Sequence, residues 1–129
     1  MARERLPAER KGRTKKIHLC YSTESGPAEL KIYVSTGEYS DGRLGEIFLK
    51  GDRTGSTISG LLDALSITAS LALQSGVPVE TLVEKWERQQ FEPSGTTTDP
   101  DLPRVSSIVD ALARWLRRRY CPARSESVV

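Results

Sequence analysis

Apolar and polar positions alternate through the first third of the chain and switch to a helical period after it. Ile17-His18-Leu19-Cys20-Tyr21 alternates weakly and predicts a strand. Leu30-Lys31-Ile32-Tyr33-Val34 alternates cleanly, with Leu30, Ile32 and Val34 on one face, and Leu44 to Lys50 predicts a third strand. The intervening Ser25-Gly26-Pro27 and Ser40-Asp41-Gly42-Arg43 are turn chemistry, so the three strands are expected as an antiparallel meander. From Ser56 the pattern changes. Ile58, Leu61, Leu62, Leu65, Ala69, Ala72 and Leu73, with Ala64, Ile67 and Leu71, cover most of a helix running to about Ser75. Ser59, Asp63, Ser66, Ser70 and Gln74 leave it one narrow polar stripe. A helix this apolar is expected to be central and packed on several sides. Ser56 or Thr57 is the expected N-cap, and Gly76 suits the position that ends the helix. Val79 to Gln90 reads as an amphipathic helix burying Leu82, Val83 and Trp86, with Phe91 as a further inward candidate. A third helix is expected from about Arg104 to Tyr120, its stripe Val105, Ile108, Val109, Leu112, Leu116 and Tyr120, with Trp115 at the margin. The expected class is α+β: a three-stranded antiparallel meander packed on a long central apolar helix plus two further helices.

Length and charge divide the chain. Its 129 residues suit one domain at 16–121, preceded by a flexible basic arm at 1–15 and followed by a disordered tail at 122–129. Residues 1–16 hold seven basic side chains against two acidic ones, a net of +5 in a chain that nets +2, so the remainder is acidic. Two separated cysteines, Cys20 and Cys121, fit a reduced thiol pair better than a disulfide scaffold. His18 is the single histidine, and no four-donor metal set can be assembled. No uninterrupted run reaches the ~18 apolar residues of a membrane span, and no apolar core follows the N-terminal arginines as in a secretory signal. The expected location is cytoplasmic, with no membrane partner.

Candidate chemistry concentrates in the cations. Arg10, Lys11, Arg13, Lys15 and Lys16 in the arm, with Arg114, Arg117 and Arg118 around Trp115, could form one basic surface for a partner, a nucleotide or a nucleic acid. A solvated tail and cations favoured by a helix dipole are the plainer account of the same residues. Gly55-Ser56-Thr57 at a helix N-terminus is a candidate anion site. The loop before it lacks the Lys-Ser/Thr ending of a phosphate loop, which favours a plain helix cap. Asp63, on an otherwise apolar helix, is expected to need a structural partner. Glu38, Asp41 and Glu46 share no predicted face, and no catalytic set emerges.

The ordered words Thr36-Gly37-Glu38-Tyr39, Asp41-Gly42-Arg43, Gly45-Glu46-Ile47-Phe48, Gly55-Ser56-Thr57, Leu71-Ala72-Leu73-Gln74, Gly76-Val77-Pro78, Leu82-Val83-Glu84-Lys85, Phe91-Glu92-Pro93-Ser94-Gly95 and Arg114-Trp115-Leu116 resemble the TSCPD domain. That module occurs at the C-terminal end of adenosylcobalamin-dependent (class II) ribonucleotide reductases and as a free-standing small protein. The resemblance spans about Leu6 to Tyr120. It implies a link to ribonucleotide reduction and DNA synthesis, with a reductase large chain as partner and adenosylcobalamin as cofactor of the full-length enzymes but not of this chain. Reductase chemistry needs a thiyl-forming cysteine and two more that supply electrons, and this chain holds two cysteines in all. The expected function is therefore an accessory or interaction module rather than a complete reductase. The alternatives are a small nucleic-acid- or nucleotide-binding protein and a self-associating homo-oligomer.

Overall fold

A computed structural model describes residues 2–121, so the expected tail at 122–129 lies outside the described residues. The elements run β1 (Thr14–Thr23), β2 (Gly26–Glu38), β3 (Leu44–Asp52), α1 (Ser56–Gln74), α2 (Val79–Trp86), β4 (Gly95–Thr97), β5 (Arg104–Val105) and α3 (Ile108–Tyr120). They form one antiparallel sheet in the order β3-β2-β1-β4-β5. The α+β class and the β1-β2-β3 meander are as expected, with two short strands added beside β1. Register follows burial. Ile17 pairs with Ile32, Leu19 with Leu30, Val34 with Leu49 and Thr36 with Ile47, which sets one apolar face against α3 and α2. Leu112, Ala113 and Leu116 of α3 and Val83 of α2 fill that core.

Two boundaries move. Arg104 and Val105 are a strand, and α3 begins at Ile108, capped by Ser107, whose Oγ accepts from the Asp110 N–H at 3.0 Å. α2 ends at Trp86 rather than Gln90, two residues before Arg88 takes a positive φ of 63°. Phe91 consequently stays exposed. Trp115 is buried rather than marginal, meeting the Tyr120 ring edge-on at 6.4 Å.

The largest correction concerns α1. It is packed on one side, not several, and its polar stripe is the side that faces the protein. The Leu49 N–H donates to Ser66 Oγ at 2.8 Å, and the Ile47 N–H donates to Ser70 Oγ at 3.0 Å. The Ser70 hydroxyl donates back to the Ile47 carbonyl, and Gln74 Nε2 donates to the Gly45 carbonyl. β3 is the end strand of the sheet, so its outward N–H and C=O groups need partners, and the helix supplies them from side chains. Beside the stripe Leu62, Ala69 and Leu73 reach the core, and the far apolar side is left outside: Leu61 is 66% exposed and Ile67 61%, with Ile58 and Leu71 also exposed. Asp63 sits exposed at the rim and needs no buried partner. Gly55, not Ser56 or Thr57, is the N-cap, and no side chain caps this helix. By length and composition α1 is also apolar enough to cross a membrane. In this fold those three polar side chains bind it to a sheet edge.

Candidate functional site

Residues 3–13, expected as a flexible arm, lie along the protein in the structure. The Glu38 N–H donates to the Lys11 carbonyl and the Thr36 N–H to the Arg13 carbonyl, which prolongs the β1–β2 pairing into the arm. Further back, the Glu4 N–H donates to Gln74 O, the Tyr39 hydroxyl to Glu4 O, and Arg43 forks onto both Glu4 carboxylate oxygens. Arg10 makes the central clamp, bidentate to Glu46 at 2.6 and 3.1 Å. Two glycines admit this strap. A Cβ on Gly12 would overlap the Thr36 carbonyl, and one on Gly37 would overlap the Glu46 carboxylate. Gly12→Val is therefore expected to lift the arm while leaving the core folded. Limited trypsin digestion should cut at Arg10 and Lys11 much faster than in the parent, at an almost unchanged melting temperature.

Strap and hairpin enclose an open depression of about 580 Å³ whose lining includes Glu9, Arg10, Lys11, Glu38, Tyr39 and Asp41. Glu38, Asp41 and the neighbouring Glu46 have separate partners, so these three form no paired acid–base couple. Glu46 holds Arg10. Asp41 accepts from the Arg43 backbone and guanidinium, which keeps its carboxyl below the usual range. Glu38 accepts from the Tyr120 hydroxyl at 2.7 Å, and that oxygen also shares a hydrogen bond with Thr36 Oγ1. Burial, and to a lesser degree Glu38, pushes Tyr120 up to about 12. A raised folded value means that the unfolded phenol ionises first. Tyr120 therefore works against the folded state once pH passes ~10. The titration seen at 295 nm is expected to contain one phenol with a midpoint near 12, absent in Tyr120→Phe, and the variant should lose less stability between pH 10 and 12.

Most of the candidate cations already face acids. Lys15 donates to Asp99 at 2.7 Å and holds that carboxyl below its ordinary value. Arg117 is bidentate to Glu87, Arg114 reaches Asp110 and the Arg104 carbonyl, and Arg118 lies 3.5 Å from Asp101. The arm and the end of α3 do meet, through Arg13, Thr36 and Tyr120 and around the Asp99–Asp101 loop, but acids are interleaved there. Trp115 is buried and offers no ring for stacking. Lys11 and Arg13 form no ion pair among the described residues. Gly55, Ser56 and Thr57 are exposed and stand apart from this cluster. Neither cysteine is in a disulfide among the described residues, and among the same residues no three metal-ligating side chains converge.

The sequence reading placed Tyr33 and Phe48 in or at the edge of the core rather than on a stacking platform, and it passed over Asp110. The face of the sheet opposite the core carries Lys16, Tyr33 and Lys50 in one row, with Phe48 diagonal to Tyr33. Lys16 Nζ lies 5.7 Å from the Tyr33 ring centre, and Phe48 is 52% exposed. The strict alternation of Lys31, Tyr33 and Ser35 against Ile32 and Val34 was the available signal. Asp110, almost fully buried, accepts from the Arg88 and Ser106 backbone N–H groups. Ser107-Ile108-Val109-Asp110 has capping-box spacing and was legible as such.

Comparison with known proteins gives one family. The model described as the TSCPD domain matches residues 4–120. A protein of Streptantibioticus cattleyicolor named vitamin B12-dependent ribonucleotide reductase is 42% identical over 127 residues, covering 98% of this chain and 20% of its own. A Streptomyces clavuligerus protein of the same name is 42% identical over 98% of this chain and 12% of its own, and one from Rhodopirellula baltica is 40% identical over 88% and 10%. The chain thus spans a fifth or less of the length of these relatives. No solved structure matches it.

Proposed function

The chain belongs to the TSCPD domain family, and on that premise we propose that it is an accessory, interaction-making module of a vitamin B12-dependent ribonucleotide reductase, not itself a complete reductase. In this role it serves deoxyribonucleotide and DNA synthesis in the cytoplasm. The observation that carries the proposal is the coverage: nearly all of this chain aligns with about an eighth of much longer reductases. Two features support it. The surface leaves Leu61, Ile67 and Phe48 exposed, and contiguous apolar exposure of this kind marks a contact with another protein. The two cysteines fall short of the radical-forming thiol and the reducing pair that the chemistry requires.

The described residues do not fit a corrinoid. The void beneath the sheet measures about 10 Å³, and the larger depressions are open surfaces. Cofactor and substrate chemistry is therefore assigned to the reductase body. The proposal is tested by titrating the purified chain into the reductase polypeptide of the same system by calorimetry. Micromolar binding is expected. No heat at tens of micromolar overturns the reading.

A second reading, binding of single-stranded nucleic acid, is favoured by the open sheet face rather than by the arm. Tyr33 and Phe48 offer two rings and Lys16 and Lys50 two unshared charges, whereas displacing Arg10 or Arg117 would break bidentate pairs. Anisotropy of a labelled oligonucleotide should then fall steeply with salt and be lost in Tyr33→Ala. Binding that ignores both changes rejects it.

A further inference from the structure

We infer that the outward face of α1 is the docking surface for a second copy of this chain, the two helices packing antiparallel about a two-fold axis. This goes beyond the reductase reading, which rests on the coverage of its relatives, and it claims the exposed Leu61 and Ile67 for a second copy.

The face is exposed, apolar and uncharged. From Ser56 to Gln74 the single charged residue is Asp63, which lies at the rim toward the sheet. A differently charged partner finds nothing here to steer by, and two identical copies meet without like-charge repulsion. The outward seam runs Thr57, Leu61, Ala64, Thr68 and Leu71, with the half-buried C-cap residue Ser75 at its end. Their spacing alternates four and three residues, the seam of a two-helix coiled coil.

The order of side chains along this seam reads the same from either end in size. Reversed about its midpoint, Thr57 faces Ser75, Leu61 faces Leu71, and Ala64 faces Thr68. In an antiparallel pair those are the residues that share a layer. Two layers carry leucine against leucine, and the central ones carry small side chains that let the helices approach closely. The Thr68 hydroxyl already donates to the Ala64 carbonyl, so that layer brings no unpaired donor. Gly60 and Ala72 match across the same axis, and the larger Ile58 and Ile67 flank the seam and widen it. An isologous contact requires a self-complementary patch, and the layers of this seam are self-complementary.

The test is sedimentation equilibrium of the full chain across the micromolar range. A dimer is expected, and Leu61→Glu should weaken it by at least about a hundredfold, since each dimer loses two apolar layers. Leu61 is 66% exposed, so the variant should melt as the parent does. Thr68→Lys, in the neighbouring layer, should act alike. Register is tested by charge: Leu61→Lys with Leu71→Glu restores association, whereas Leu61→Lys with Leu71→Lys abolishes it. Melts are compared at a concentration where both chains are monomeric, since association raises the melting temperature. The inference is overturned by a monomer at every concentration, by a dimer indifferent to Leu61→Glu, or by equal behaviour of the two double variants. A monomer whose binding to uncharged lipid vesicles, or to the reductase polypeptide, is lost in Leu61→Glu also overturns it and gives the face to that occupant.

Discussion

Asp110→Ala is expected to destabilise the domain by up to ~2–6 kcal/mol, because it strips the acceptor from two part-buried backbone N–H groups, each costing ~1–3 kcal/mol when left unpaired. The Asp110 carboxylate binds the Arg88 N–H at 2.8 Å and the Ser106 N–H at 3.1 Å. It therefore joins three pieces of chain: the loop after α2, the segment after β5, and the first turn of α3. Arg88 sits at positive φ, a conformation costly for any residue with a Cβ and held by that bond. Asn at this position keeps one acceptor oxygen and should cost about half as much. Asp63→Ala is the contrast, an exposed acid on α1 whose loss should stay within ~0.5 kcal/mol. Thermal melts of the three variants check the order. A mild Asp110→Ala would mean that water replaces the carboxylate.

The second large effect is expected from the polar stripe of α1. In the Ser66→Ala, Ser70→Ala double variant the helix keeps its propensity and its buried Leu62, Ala69 and Leu73. The Leu49 and Ile47 N–H groups, however, lose their acceptors where the helix still excludes water. A loss of ~2–6 kcal/mol follows by the same accounting. Amide exchange at Ile47 and Leu49 should accelerate well beyond that of the core pairs between β1 and β2. Exchange that speeds everywhere alike would show that the helix edge is not a separate unit of stability.

These two sites show what the sequence could and could not disclose. β1 to β3 were legible because a period of two over five residues, bounded by Gly26 and Gly42 turns, has few other interpretations. β4 and β5, at three and two residues, are too short to carry any period. The stripe of α1 was visible. Its direction was not, because periodicity separates two faces without saying which one meets the protein, and serine facing inward follows from the edge strand beside it. The strap was hidden for a different reason. Arg10 with Glu46 and Glu4 with Arg43 are separated by more than thirty residues, and nothing local in a basic, proline-containing segment announces partners that far away. The cations of the candidate basic surface were visible as residues, but the acids that several of them meet, Glu87, Asp99 and Asp101, lie in other elements.

The sheet is also finished at both sides. On one margin a serine–glutamine row occupies the hydrogen-bonding groups of β3, and on the other the strands dwindle to three residues and then two. Neither margin offers a long bare ladder on which a stray strand from another molecule could polymerise. Crowded or partly heated preparations should therefore resist growth into amyloid-like fibres, and the serines that hold α1 in place act at the same time as a safeguard of solubility.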